Sequence, residues 1–283
     1  MHFLRERALT PEQLALASDL QHTINQQRGL DLKLGLDYEP FVTHETPWHR
    51  HHLIVEGTQL IAYGSILGAY HMPELNLMVH PDHRRQGLAT RLLRQMVQEC
   101  QVRGVKKVLG ICENASAEGQ LFLQKWNTTL DFAEHRMVRS LGDLQRPEWP
   151  QGVTICMATP EDAESIAEGA LQDFQFALDV QDLRRELEAE PEPHKVLKIR
   201  GKTVANLRVF PASTRAGIYA FRVHPAHRRQ GLGELLMLQV MHDLQEEGYQ
   251  QVWLEVNSQN PPAIRLYQKL GFETTVTYGY HLL

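Results

Sequence analysis

The chain has 283 residues, 42% of them hydrophobic and 22% charged, a length that suggests two domains and a composition ordinary for a globular protein. A net charge of −5 and a sequence pI of about 6.3 give no electrostatic footprint for nucleic acid. No apolar run approaches the roughly 20 residues that a bilayer span needs, so no membrane association is expected.

Arg5, Glu6 and Arg7 stand among the first seven positions, where a secretory leader would carry its apolar core. Cys100, Cys112 and Cys156 lie far apart without CxxC spacing, so a cytoplasmic protein with reduced, buried thiols is expected. Thr10-Pro11-Glu12-Gln13 predicts a helix start with proline in the first turn, opening an Ala/Leu-rich helix. His44, His49, His51 and His52 then cluster ahead of a strand. A metal would require convergent carboxylates as well, so these rings are expected on a cleft wall or an exposed loop, with no metal bound.

Strands are predicted near 60–67 and 74–79, a helix over 88–103 and a strand over 107–112. Arg146-Pro147-Glu148-Trp149-Pro150-Gln151-Gly152 has linker chemistry, which places one domain at 1–142, a linker at 143–152 and a second domain at 153–283. Val153–Met157 reads as a strand and Thr159-Pro160-Glu161-Asp162 as another helix start. Helices follow near 160–172 and 180–190, then a hairpin of strands 194–199 and 203–210 around Arg200-Gly201-Lys202. A strand near 217–223 leads to a helix over 232–247, whose apolar face is Leu232, Leu235, Leu236, Leu238, Met241 and Leu244 and which Gly248 ends. A strand at 252–256, a helix at 261–270 and closing strands to Leu283 complete a mixed α/β chain.

The two halves are copies. Val79-His80-Pro81-Asp82-His83-Arg84-Arg85-Gln86-Gly87-Leu88-Ala89 recurs 144 positions later as Val223-His224-Pro225-Ala226-His227-Arg228-Arg229-Gln230-Gly231-Leu232-Gly233. The same offset aligns Gly104 with Gly248, Val108 with Val252 and Gln124-Lys125 with Gln268-Lys269. A repeat of this length exceeds any solenoid unit and indicates a duplicated domain.

In each copy Arg-x-x-Gly-x-Gly/Ala joins a strand end to a helix start. A helix N-terminus offers unpaired amides and partial positive charge. Glycine lets that backbone approach a ligand, and arginine adds charge-assisted bonds to phosphate oxygens. The combination reads as a cradle for a diphosphate, the alternative being a tight turn solvated by its arginines. Neither a P-loop nor a GxGxxG dinucleotide fingerprint is present.

These residues resemble the GNAT N-acetyltransferase superfamily, whose motif A is a Val-x-Pro-x-x-Arg-x-x-Gly-x-Gly/Ala stretch. Leu254–Phe272, with Asn260-Pro261 and Leu266-Tyr267 inside it, resembles motif B. The tandem plan is similar to that of the mycothiol synthase family. The resemblance implies two tandem GNAT domains, each with a mixed, mostly antiparallel sheet flanked by helices.

It also implies acetyl-CoA as acyl donor, a primary amine as acceptor and no metal. Main-chain groups of Phe221, Arg222 and Val223 would then pair with the pantetheine arm, one amide polarising the thioester carbonyl. Arg228, Arg229, Gln230, Gly231, Leu232, Gly233 and Glu234 would hold the diphosphate, and Asn257 and Asn260 the CoA arm. In the first half the same places fall to Leu77, Met78, Val79, Arg84, Arg85, Gln86, Gly87, Leu88, Ala89 and Thr90.

Tyr267 would protonate the departing thiolate and Glu255 would be the base, directly or through water; the plainer alternatives are packing for Tyr267 and a salt bridge for Glu255. Physical chemistry agrees in part: Asn260-Pro261 is a helix cap and first-turn pair, and Tyr267 follows two turns later on the same face.

The first half departs from the pattern, with Leu123 for Tyr267, Ser116 for Asn260 and Asn127-Thr128 for Gly271-Phe272. Its loop is expected to hold a CoA-type diphosphate without catalysis. The resemblance favours acetyl transfer to a small amine. A protein N-terminal or lysine acetyltransferase and a non-catalytic acyl-CoA-binding regulator are the competing functions. Nothing in the chain fixes the oligomeric state, and a monomer is compatible with it.

Overall fold

The computed structural model describes residues 1–36, 48–69, 72–142, 144–174, 177–190 and 193–283. His44 lies outside the described residues. In chain order the elements are β1 (His2–Glu6), α1 (Pro11–Arg28), β2 (His51–Glu56), β3 (Gln59–Ala69), β4 (Met72–Val79), α2 (Leu88–Gln101), β5 (Leu109–Glu113), α3 (Ala117–Gln124) and β6 (Thr129–Ser140). There follow β7 (Val153–Met157), α4 (Ala163–Phe174), α5 (Val180–Ala189), β8 (His194–Ile199), β9 (Lys202–Ala212), β10 (Arg215–Val223), α6 (Leu232–Glu246), β11 (Gln251–Asn257), α7 (Pro261–Lys269) and β12 (Glu273–Leu282).

Two compact units result. The first comprises Met1–His135, Asn257–Gln259 and Val276–Leu283; the second comprises Arg136–Val256 and Asn260–Thr275. This division departs from the expected cut at 142 and 153, because the last strand serves the first unit. There Tyr278–Leu282 of β12 pairs antiparallel with Glu113–Leu109 of β5, filling an edge that no earlier strand covers. The closing strands expected after α7 are thus a single strand.

In the first unit β1-β2-β3-β4 form an antiparallel run, β5 adds parallel to β4, and β12 follows. Helix α1 starts with a full capping box between Thr10 and Gln13. It packs Ala17, Leu20 and Ile24 on one face of the sheet with Leu53, Tyr63 and Met78. Helix α2 packs Leu92, Leu93 and Met96 on the other, with Ile54, Ile61 and Leu75.

The second unit repeats the plan. Strands β7-β8-β9-β10 are antiparallel, β11 lies parallel to β10, and β6 follows. Helix α6 buries Leu232, Leu236, Met237, Val240, Met241 and Leu244. Leu235 and Leu238, expected on that face, are only partly buried. Helices α4 and α5 cover the opposite face through Ala163, Ile166, Leu183 and Leu187.

Three side-chain expectations change. His51 and His52 sit on β2, 2% and 0% exposed, not on an exposed loop. Their alternation with Leu53 and Ile54 places one on each buried face. Cys156 is half-buried, whereas Cys100 and Cys112 are buried and held well above the usual thiol range by burial, each to about 11.

Candidate functional site

The two halves build the same loop. In the second unit β10 ends at Val223, and His224 accepts from the Ala226 amide at 3.3 Å to start a short 3-10 turn at Pro225–His227. The chain then passes through two left-handed residues, Arg229 (φ 64°) and Gly231 (φ 77°), directly into α6. Gly231 is the N-cap and gives no side-chain cap, and the first helical bond is Leu235 N–H to Gly231 C=O at 3.0 Å. The amides of Leu232, Gly233 and Glu234 therefore precede the helical ladder. The first unit matches it step for step: His80 accepts from Asp82 N–H at 3.3 Å, Arg85 has φ 61°, Gly87 has φ 81° and caps α2 without a side-chain bond. The amides of Leu88, Ala89 and Thr90 come before the first bond, Arg91 N–H to Gly87 C=O at 3.0 Å. Uncapped amides wound by paired left-handed residues fit an anion of diphosphate size.

Gly233 is crowded for a different reason. A Cβ there would lie 3.1 Å from Phe221 Cζ and 3.2 Å from Val223 Cγ2, so α6 rides close on β10. At the 144-residue offset the first unit has Ala89 for Gly233 and the smaller Leu77 for Phe221. The two positions change size together.

Beyond the loop the parallel strands part. Pairing of β10 with β11 stops at Ile218↔Leu254 although both strands continue, and in the first unit pairing of β4 with β5 stops at Leu75↔Gly110. In β10 a register shift between Tyr219 and Arg222 adds a bulge, with Ala220 at φ 48° and its carbonyl accepting from Asn206 Nδ2 at 3.2 Å. Strand β4 pairs with β3 in unbroken register from Ala62↔Val79 to Ala69↔Met72. Phe221, Arg222 and Val223 thus lie on the parted segment of β10, and Leu77, Met78 and Val79 on that of β4.

The motif arginines are partly committed. Arg228 donates from Nε to the Val223 carbonyl at 2.8 Å and from Nη2 to Asp173 Oδ1 at 2.7 Å. Arg222 is buried, donating from Nε to Asp173 Oδ2 at 3.2 Å and from Nη1 to the Ser165 carbonyl at 3.2 Å. Burial pushes the Asp173 carboxyl upward, but hydrogen bonds and charge from Arg228 and Arg222 outweigh it and hold it below the usual range. Arg84 similarly reaches the Val79 carbonyl at 3.3 Å and Glu118 at 3.4 Å. These side chains brace the strand end, whereas Arg229, Arg85, Gln230 and Gln86 are exposed.

Tyr267 is 6% exposed on α7, its ring 6.2 Å from Phe221 and 5.9 Å from Phe272. Burial raises its phenol well above the ordinary tyrosine range, so the proton stays on oxygen. Asn260 caps α7 by accepting from Ala263 N–H at 3.3 Å, and Asn257 accepts from Gln259 N–H at 2.8 Å. Glu255 accepts from Arg136 Nη2 at 3.0 Å and Nε at 3.3 Å, while the Arg136 guanidinium lies 4.8 Å over Trp253. Glu234 pairs with Lys269.

Sequence reasoning passed over Asp173, Arg136 and Gly169. A Cβ at Gly169 would sit 1.7 Å from Arg222 Cζ, so α4 has its glycine where that side chain crosses. A lone glycine inside an amphipathic helix was the available signal. Among the described residues one group could offer a metal three ligand atoms, His242, Asp243 and Glu246 on α6. It lies on the helix body, not at the loop.

The acetyltransferase (GNAT) family profile matches residues 19–125 and 161–272, one region in each half. A mycothiol acetyltransferase of Saccharomonospora viridis is 29% identical over 71% of this chain and 71% of its own length. A [ribosomal protein bS18]-alanine N-acetyltransferase of Escherichia coli is 39% identical over a shorter stretch, 23% of this chain and 45% of its own. A tandem GNAT protein from the clavulanic acid biosynthesis pathway superposes with a TM-score of 0.75 at 17% identity, covering 100% of this chain and 98% of its own.

Proposed function

We propose, from the premise that this chain belongs to the acetyltransferase (GNAT) family and is an acyltransferase built of two tandem GNAT regions, that its second half moves an acetyl group from acetyl-CoA to a small primary amine. The observation that carries this is Tyr267, a buried phenol lying against Phe221 on the parted segment of β10. The mycothiol acetyltransferase relative, which spans most of the chain, supports a small-molecule acceptor. The short match to an enzyme named for a ribosomal protein favours a protein N-terminal acceptor instead; a panel containing both classes decides between them.

In this reading the amides of Arg229 through Glu234 hold the diphosphate, and the open backbone of Phe221–Val223 pairs with the extended pantetheine arm. Asn257 and Asn260 flank that arm. An acceptor amine attacks the thioester carbonyl while both substrates are bound, with no covalent enzyme intermediate. An amide of β10 stabilises the oxyanion that forms, the largest electrostatic need of acyl transfer. As the C–S bond breaks, Tyr267 gives its proton to the sulfur, a transfer that suits a phenol held neutral. Glu255 takes the amine proton through water, its carboxylate fixed in place by Arg136.

The first half keeps the loop but has Leu123 at the Tyr267 position and cannot supply that proton. Its residues Arg84 through Thr90 bind a CoA diphosphate without transfer. The test is CoA-thiol release from acetyl-CoA across small amines and peptides. Tyr267→Phe is expected to cut acceptor-dependent release by about 10²–10⁴-fold, the usual size of an acid–base contribution. Undiminished release would remove Tyr267 from the acid role.

A further inference from the structure

We infer that the first half holds a second, non-transferring thioester site whose cavity takes an acyl chain longer than acetyl, with the Asn76 side-chain amide donating to the acyl carbonyl. This rests on reading Arg84–Thr90 as a CoA diphosphate cradle.

The first unit has a cavity of about 80 Å³ where β4 and β5 part, walled by Leu75, Leu77, Leu93, Gly110, Phe122 and Leu123. At the 144-residue offset the second half is bulkier at the wall positions named next and smaller at Phe122, where it has Leu266. Leu254 stands for Gly110, Phe221 for Leu77, Tyr267 for Leu123 and Ala263 for Gly119, and Leu254 and Tyr267 are buried in its core. The first half has thus lost the acid and gained room by the same substitutions. A volume of this size accommodates roughly two or three methylene-sized groups.

One polar group in the wall specifies the ligand further. Asn76 is 4% exposed, lines the cavity, and its Nδ2 has no hydrogen-bond partner. A buried donor without an acceptor is costly, and proteins rarely keep one. The second half has Ala220 at this position, so the amide is particular to the first. Of the charged wall residues, Lys33 donates to Tyr280 Oη at 2.6 Å and Glu113 accepts from the Asp31 amide at 2.8 Å. A ligand that answers both features carries a carbonyl next to a short aliphatic chain. An acyl thioester does so, and its CoA end would reach back along the parted strands to the uncapped head of α2.

Isothermal titration calorimetry on the full chain with CoA, acetyl-CoA and butyryl-CoA tests this, with Arg85→Glu identifying which binding step belongs to the first half. That step is expected to favour butyryl-CoA over acetyl-CoA by about 10-fold, at roughly fourfold per buried methylene. Leu123→Phe, which fills the cavity, should erase the preference. Asn76→Ala should weaken both thioesters and leave CoA unchanged. Equal affinity for the two thioesters at that step overturns the acyl preference while the cradle reading stands. Absence of any first-half binding, CoA included, overturns the cradle reading and the inference with it.

Discussion

Arg222 crosses α4 at Gly169, the one residue of that helix without a side chain, and there meets Asp173 and the Ser165 carbonyl. Gly169→Ala therefore forces the guanidinium out of a buried, fully engaged position. A loss of about 1–3 kcal/mol, typical of overpacking, is expected in urea denaturation, with weaker acetyl-CoA binding because Asp173 also steadies Arg228. His52 gives a pH-dependent case. Its Nε2–H donates to the His49 carbonyl at 3.1 Å, leaving Nδ1 buried without a partner. Burial lowers its pKa from 6.5 to about 4; the His49 carbonyl and the Glu99 charge oppose that shift, and the charges of Arg5 and His49 add to it.

The folded protein thus resists a proton that the unfolded chain accepts below about pH 6.5. The stability from a neutral His52 is whole above that pH and declines as pH falls toward 4, by roughly 3 kcal/mol. Urea titrations of wild type and His52→Gln between pH 7 and pH 4 should converge by that amount; parallel curves would refute it. Residue by residue, the sequence disclosed what is local. The loop glycines, the Asn260 cap and Tyr267 sit in short patterns with their own spacing. Asp173 and Arg136 meet their partners across 49 and 119 positions, a distance at which no spacing rule speaks.

At the level of elements, strand–loop–helix units are set by how closely α6 rides on β10. The Gly233–Phe221 and Ala89–Leu77 combinations are two solutions to one packing problem. Gly233→Ala alone should raise the KM for acetyl-CoA by about 10-fold, because the added methyl pushes the loop amides outward. Phe221→Leu in the same chain should restore most of that loss. A double-mutant cycle with no coupling would show that the two residues do not share a space. Element identities were readable because periodicity changes from two to 3.6 along each half. The bulge in β10 was not, since Ala220 at φ 48° is a non-glycine residue with no turn signature. The buried face of α6 was only partly read, as Met237 and Val240 widen it beyond the leucines.

For the whole molecule, duplication set the chain length but not the division of labour between units. Tyr278 and Tyr280 are each 1% exposed and form a small core with Leu109 in the first unit, although they belong to the second repeat. Tyr278 donates to the Asp31 carbonyl at 2.6 Å, and Lys33 donates to Tyr280 Oη at 2.6 Å. Removing residues 276–283 should therefore expose protease sites in residues 1–135 first, and limited proteolysis with mass spectrometry would locate them. Cleavage confined to the second half would contradict the assignment. Pro147, Pro150 and Gly152 give 143–152 the chemistry of a linker, but the pairing of β12 with β5 does not follow it.

The same arrangement constrains biosynthesis. A ribosome delivers the amino terminus first, and domains generally fold as they emerge. Here the edge of β5 waits for Tyr278–Leu282 of β12, which are translated after α7. At about 5–20 residues per second that wait lasts on the order of ten seconds, during which an unpaired strand edge is open to other nascent chains. The half that is made first is the half that is finished last.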